Sequence, residues 1–284
     1  MTLTGAFNQL TPEQQRVIDR ELFGAVSDGD VDEAKAALAH GANKNARLES
    51  NNYTPLLLAT YEEQPAVVDL LLSEGADLNA LDQEGKNALM IALNWHHEAI
   101  AIQLIVAGVS VRQADSNGDP AIFYALPAKD NRILEMMIGA GADINAQNQG
   151  GCTLLAWAVA ERGRKVVPPI EMECLHRILQ NKADINKPNV EGWTPLMRAV
   201  DYGDHEAVQF LLNCGADTEC AGKDGKRAID IAREKGDNKD IITMLEIRLK
   251  AQDEAKYAPF RDGTATPVKA APKVAFRKKP AEQP

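Results

Sequence analysis

The sequence has few of the residues from which catalytic and metal sites are usually built. It holds four cysteines and five histidines in 284 residues, and no C-x-x-C pair. His96 and His97 are adjacent, so their side chains diverge, and no cysteine or carboxylate follows at ligand spacing. A G-x-S-x-G nucleophile motif and a glycine-rich phosphate loop are also missing. We therefore expect no metal, no cofactor and no enzymatic activity.

Long hydrophobic runs are absent as well. No apolar stretch approaches the roughly 18 residues that a membrane helix needs. The first fifteen residues lack the basic and then apolar pattern of a secretory signal. We expect a cytoplasmic protein without membrane contact, or one that is secreted without a cleaved signal peptide. In a reducing compartment the cysteines are expected to be small, packed residues.

Negative charge dominates, but unevenly. The net charge is −10, and residues from 251 onward carry seven basic and four acidic side chains. The first 250 residues therefore carry 24 basic and 37 acidic groups, a balance of −13. Binding to nucleic acid needs a clustered positive surface, which argues against DNA or RNA as the partner.

The stretch 192–219 has the most regular pattern. Gly192 suits a turn with positive φ, and Thr194-Pro195 predicts a helix start, with the hydroxyl as N-cap and proline at N1. Gly203 can end this helix, and Gly215 can end a second one. Apolar residues recur at helical spacing in both. Each helix pair is too small to bury its own apolar side, so it needs neighbours.

Copies of this unit occupy most of the chain. Asn52, Gly85, Gly118 and Gly151 are spaced by 33 residues, and so are Gly192 and Gly225; the step from Gly151 to Gly192 is 41. The turn glycine, Thr-Pro-Leu, the helix pair and the closing Gly-Ala-Asp together resemble the ankyrin repeat, and the period agrees. The resemblance implies an all-α repeat solenoid, a stack of helix–turn–helix units with short hairpin-like loops.

The period divides the chain into a lead-in, about seven units and a tail. Thr11-Pro12 is also a fair helix start within the lead-in. The fifth unit is eight residues longer than the period, with the extra residues inside 161–174. The predicted divisions are 1–15, 16–48, 49–81, 82–114, 115–147, 148–188, 189–221, 222–250, and a Pro/Ala/Lys-rich tail at 251–284 that is expected to be disordered.

The units depart from the family pattern at two places. The family usually has a histidine after Thr-Pro-Leu; apolar residues stand there in this chain, namely Leu57, Met90, Phe123, Ala156 and Met197. The glycine between the two helices is replaced by Glu63, His96 and Lys129. A side chain in the left-handed region costs on the order of 1 kcal/mol. We expect the middle units to be less stable than the sixth.

The resemblance also implies a binding surface, because the family binds partners through hairpin tips and the exposed side of the first helices. Aromatic and acidic residues fall at such places: Tyr53, Tyr61, Glu62, Trp95, Trp193, Asp201 and Tyr202. Exposed aromatics are typical binding anchors. Tyr53 and Trp193 could equally pack on the next hairpin, whereas binding is favoured for Tyr61, Trp95 and Tyr202. Trp157 falls on the apolar side and is predicted to be core.

These observations favour a monomeric, non-enzymatic module or scaffold that binds another protein through its concave face and hairpin tips. The acidic body predicts a partner with a basic and partly apolar surface. One alternative is a bacterial effector delivered into a host cell, where it binds a host protein. A weaker alternative is an enzyme. The insertion within 161–174 is equally well read as a docking loop or as a tolerated excursion.

Overall fold

The computed structural model describes residues 10–126, 132–164, 171–236 and 238–261, with side chains up to residue 252. This part of the chain holds thirteen α-helices and one 3-10 helix. Their bounds are α1 Pro12–Asp28, α2 Val31–Ala39, α3 Pro55–Tyr61, α4 Pro65–Ser73, α5 Ala88–Asn94, α6 Glu98–Val106, η1 Ala121–Ala125, α7 Arg132–Gly139, α8 Leu154–Gly163, α9 Met172–Gln180, α10 Pro195–Tyr202, α11 His205–Asn213, α12 Ala228–Lys235 and α13 Lys239–Arg261. Extended pairing within the described ranges is limited to isolated antiparallel bridges, such as Gln147 with Thr153. The prediction of an all-α repeat solenoid with hairpin-like loops is confirmed.

Helix starts follow the capping chemistry that the sequence predicts. The Thr194 hydroxyl accepts a hydrogen bond from the Met197 N–H, and Pro195 occupies N1 of α10. In the third unit Asn87 is the N-cap, and its side-chain amide oxygen accepts a hydrogen bond from the Met90 N–H. These bonds satisfy amide groups that would otherwise lack a partner in the first helical turn.

Turns between the paired helices need a left-handed residue, whichever side chain is present. Gly203 has φ 68°, while Glu63 and His96, in the equivalent place, have φ 57° and 61°. The predicted left-handed positions at Glu63 and His96 are thus confirmed, whereas Lys129 lies outside the described residues. The turn before the first helix is also left-handed, even where Asn52 (φ 62°) replaces glycine.

The helices form two layers that share one continuous core. First helices stack on one another, as α3 does against α1 and α5, and second helices stack likewise, as α4 does against α2 and α6. Apolar residues from every unit belong to a single buried cluster. The five residues that replace the family's histidine are among the most buried side chains, each at most 2% exposed: Leu57, Met90, Phe123, Ala156 and Met197.

Polar contacts fix each unit on its neighbour through a row of side chains that we call the asparagine ladder. The side-chain oxygen of one asparagine accepts the backbone N–H of a residue in the next unit. The pairs are Asn45 with Asp77 at 2.8 Å, Asn79 with Ser110 at 2.8 Å, Asn145 with Asp184 at 2.7 Å and Asn186 with Asp217 at 2.9 Å. Arg112 interrupts this ladder, and its Nε donates to the Gly141 carbonyl at 2.8 Å.

Both ends of the array differ from the predicted divisions. Helix α1 begins at Pro12, with Thr11 and Gln14 forming a capping box, so it includes the end of the predicted lead-in. Helix α13 continues to Arg261, so the predicted tail boundary at 251 falls inside a helix. Residues 165–170 of the insertion and 262–284 of the tail lie outside the described residues.

None of the described helices has the length and apolarity that would allow it to cross a membrane.

Candidate partner-binding surface

Two exposed aromatic residues stand at the ends of neighbouring first helices. Tyr61 is the last residue of α3, and Trp95 directly follows α5. The left-handed residues Glu63 and His96 turn the chain away towards the second helix, which leaves the aromatic side chains at the rim. Tyr61 is 38% exposed and Trp95 is 50% exposed.

Tyr53, Tyr61 and Trp95 form an aromatic cluster across the second and third units. The ring centroids of Tyr53 and Tyr61 are 5.8 Å apart at an interplanar angle of 67°, and those of Tyr61 and Trp95 are 5.2 Å apart at 86°. Edge-to-face pairs of this kind stabilise the arrangement beyond the area that they bury. The sequence predicts the three residues at exposed places; the structure places their rings in one continuous group.

A small groove lies beside the aromatic cluster, between the second and third units. Its volume is about 230 Å³, and the aromatic cluster forms one side of it. The other residues around this inter-repeat groove are Asp82, Glu84, Lys86, Ile91 and Asn94. They belong to the hairpin and first helix of the third unit.

Two carboxylates and one ammonium group line the inter-repeat groove. Asp82 Oδ1 accepts the backbone N–H groups of Glu84 and Lys86, each at 2.8 Å. The Lys86 ammonium lies 2.7 Å from the Glu84 carboxylate. Burial, followed by the charges of Asp82 and Glu84, raises the pKa of Tyr53 to about 12. The Tyr53 hydroxyl, which like an ordinary phenol is protonated at neutral pH, thus lies near two carboxylates.

Trp193 has a different environment from the aromatic cluster. Its half-buried ring packs against the next hairpin, where a methyl group added to Gly222 would lie 3.2 Å from Trp193 Cδ1. The Arg198 guanidinium lies 5.7 Å from the ring centroid. The ring thus packs between adjacent hairpins of the array.

Asp201 and Tyr202 also make contacts with other residues of the chain. Tyr202 lies across Gly163, where an added Cβ would approach Tyr202 Cβ to 2.4 Å, and its hydroxyl accepts a bond of 3.1 Å from Arg164 Nε. The Asp201 carboxylate lies 2.6 Å from the Lys235 ammonium. These two residues belong to the sixth unit, remote from the aromatic cluster. Glu62, in contrast, is exposed and follows Tyr61 directly in the chain.

Asp82 and Glu84, which the sequence pattern did not single out, also line the inter-repeat groove. The repeat period does place Asp82 in a hairpin turn, because Asp115 stands at the equivalent position 33 residues later. Each hairpin lies against the unit that precedes it, as shown by the Ser116 N–H, which donates to the Glu84 carbonyl at 2.7 Å. Residues of one hairpin therefore complete the surface of the preceding first helix.

The thiols offer little nucleophilic chemistry. Burial raises the pKa of Cys174 to about 11, and it also raises the pKa of Cys152. The reactive form of cysteine is the thiolate, which a raised pKa disfavours at neutral pH.

Within the described residues, no group of three or more His, Cys, Asp and Glu side chains is arranged to hold a metal ion.

Comparison with known families matches the chain to the model for "Ankyrin repeats (3 copies)", over residues 22–115, 62–148 and 170–253. The chain is 38% identical over 85 residues to Notch-regulated ankyrin repeat-containing protein B of Danio rerio, a match that covers 28% of this chain and 76% of that protein. It is 32% identical over 113 residues to Protein phosphatase 1 regulatory subunit 12A of Mus musculus, covering 38% of this chain and 10% of that protein. The match thus spans only about a tenth of the phosphatase subunit.

Solved structures with the same fold include the ankyrin repeat domain of Bcl-3, a member of the IkappaB protein family. It superposes with a TM-score of 0.69 at 23% identity, over 80% of this chain and 97% of that one. The human ASB11 ankyrin repeat domain superposes with a TM-score of 0.62 at 22% identity, over 80% of this chain and 96% of that one. At this identity the likeness concerns the fold alone.

Proposed function

Since the chain belongs to the ankyrin repeat family, we propose that it is a non-enzymatic module that binds another protein through its concave face and hairpin tips. The relatives carry names of regulatory and repeat-containing proteins, which supports a binding role over a catalytic one. The work of such a module is to hold, mask or scaffold its partner.

The observation that carries this proposal is the aromatic cluster. Trp95 and Tyr61 are the two aromatic side chains among the exposed large apolar residues of the described part of the chain, and their rings are in contact. Aromatic side chains of this kind are the residues on which protein interfaces most often depend, since they bury a large area at a small cost in side-chain entropy.

Charge beside the aromatic cluster supports a basic and partly apolar partner surface. Asp82 and Glu84 line the inter-repeat groove, and Glu62 is exposed at the end of α3. Complementary charge steers the encounter of two proteins and excludes partners of like charge. The apolar ring faces supply the remaining contact area.

Replacing Trp95 by alanine is expected to weaken partner binding by about 1–3 kcal/mol, with a small change in stability. The partner is first recovered from the native lysate with the intact protein and then purified. Affinity is measured by calorimetry and thermal stability by circular dichroism. The matched control is Val106→Ala, which removes an exposed apolar side chain from the second helix of the same unit and should leave affinity unchanged.

Tyr202→Ala separates a binding role from a packing role. Because Tyr202 lies on Gly163 and bonds to Arg164, its loss should lower the melting temperature and leave affinity per folded molecule intact. If Tyr202→Ala and Val106→Ala weaken binding while Trp95→Ala does not, the proposed face is the wrong one.

A further inference from the structure

The inter-repeat groove has the size of one side chain. Pockets for small organic ligands usually hold about 300–1,000 Å³, and this groove holds about 230 Å³. A single long side chain of a bound protein would fill that volume.

The walls of the groove suit a cation with a flat, delocalised charge. The Tyr61 and Trp95 rings meet at 86°, which provides an aromatic edge and an aromatic face at one corner. The negative face of an aromatic ring attracts a cation within about 6 Å of its centroid, and arginine also stacks on the ring. Two carboxylates also line the groove: Glu84 is paired with Lys86, whereas Asp82 forms no salt bridge among the described residues and reinforces the preference for positive charge.

Polar atoms around the groove remain available to a ligand. Asp82 uses Oδ1 for two backbone N–H groups, and within the described part of the chain Oδ2 accepts no hydrogen bond. Over the same residues, the hydroxyls of Tyr53 and Tyr61 make no hydrogen bond either. A guanidinium carries five N–H donors and matches a carboxylate oxygen and a phenol oxygen together.

Elsewhere the chain provides its own cation for an aromatic ring. Lys86 Nζ lies 5.7 Å from the Tyr124 ring centroid, and Arg198 Cζ lies 5.7 Å from that of Trp193. By the repeat spacing, Ile91 takes the place of Arg198 in the third unit. No lysine or arginine lies over the rings of the aromatic cluster among the described residues.

We propose that the inter-repeat groove takes one arginine side chain from an extended basic segment of the bound protein. The guanidinium lies against Tyr61 and Trp95 and donates to Asp82. This inference rests on the proposed function and specifies the residue that the partner contributes at this place.

The test uses an acetylated, amidated pentapeptide of sequence Gly-Ser-Arg-Ser-Gly with the full-length protein. The same peptide with citrulline, a neutral isostere, or with trimethyllysine in the central position provides the comparison. Binding is followed by the NMR signal of the Trp95 indole N–H, with Trp157 and Trp193 as internal references. The arginine peptide should shift only the Trp95 signal, and citrulline should weaken the apparent Kd about tenfold or more.

Asp82→Asn tests the carboxylate without disturbing the turn. Asn148 and Asn189 hold the equivalent place in later units, and each accepts the same two backbone N–H groups. The variant should keep its melting temperature and bind the arginine peptide about tenfold more weakly. The matched control is Asp184→Asn, which removes one charge from a distant hairpin and should bind as the wild type does.

Equal binding of arginine and citrulline, tighter binding of trimethyllysine, or equal losses in the two Asp→Asn variants would overturn the assignment to arginine. The proposed function has a separate readout. If binding of the purified partner depends on Trp95 but not on Asp82, the proposed binding face is correct and the assignment of the inter-repeat groove to arginine is wrong. If the partner depends on neither, the binding face given under the proposed function is wrong as well.

Discussion

Phe123→Ala is expected to lower the free energy of unfolding by about 3–5 kcal/mol, the usual cost of emptying a large buried aromatic site. Phe123 is 1% exposed, and its ring stacks on Trp157 of the next unit at a centroid distance of 5.2 Å. It belongs to η1, a 3-10 helix of five residues without a side-chain cap. We expect this short helix to depend strongly on Phe123, which is the largest fully buried side chain of the described residues.

The loss should also change the shape of the unfolding transition. In a repeat array, stability is approximately a sum of unit and interface terms, so weakening one interface uncouples the units on its two sides. Urea unfolding followed by circular dichroism and by tryptophan fluorescence should give coincident transitions for the wild type and separate ones for Phe123→Ala. Phe123→Leu, which retains most of the volume, should cost about 1–2 kcal/mol. A loss below that of Phe123→Leu would contradict this account of the fourth unit.

Gly151→Ala is expected to cost about 2–4 kcal/mol, although it adds a single methyl group. Gly151 has φ 67°, a conformation that costs an L-residue about 1–2 kcal/mol. The added Cβ would also lie 2.7 Å from the Val190 backbone nitrogen, which donates to the Gly150 carbonyl at 3.0 Å. Displacing Val190 breaks a hydrogen bond that joins the fifth hairpin to the sixth.

Gly225→Ala is the matched control, because it separates the strain from the steric contact. Gly225 occupies the equivalent turn with φ 78°, and nothing lies within 4 Å of an added Cβ. Gly225→Ala should therefore lower the free energy of unfolding only by the cost of an L-residue at positive φ, about 1–2 kcal/mol. Chemical unfolding of both variants measures the difference. Equal losses would mean that the hairpins move apart freely and that their contact contributes little.

Much of the fold could be predicted because its determinants are local. Thr194 and Pro195 start a helix through their own hydrogen bonding and ring geometry, and the spacing of 33 residues repeats that chemistry along the chain. The 3-10 helix η1 was not predicted, although Pro120 in the place of the capping threonine was a visible signal. The asparagine ladder was missed because its partners lie in different units, which the period within one unit does not reveal.

The candidate surface was predictable only in part, for a related reason. The repeat places Tyr61, Trp95 and Tyr202 at corresponding ends of first helices, so the sequence predicts all three along one strip. Contact between such residues requires adjacent units. Tyr61 and Trp95 meet this condition, while Tyr202 is held by Arg164 from the unit before it. Residues at equivalent positions can therefore form a common surface only where their units are adjacent.

We expect the array to be mechanically weakest where Arg112 interrupts the asparagine ladder. The ladder bonds join successive units. Between the third and fourth units the bond from Arg112 to the Gly141 carbonyl stands in place of an asparagine bond, and the described part of the fourth unit begins with a five-residue 3-10 helix. A pulling force on the two ends is carried by every interface in series, so the weakest one yields first. We expect extension to begin between the third and fifth units, which leaves the segment with the aromatic cluster folded while the chain lengthens beside it.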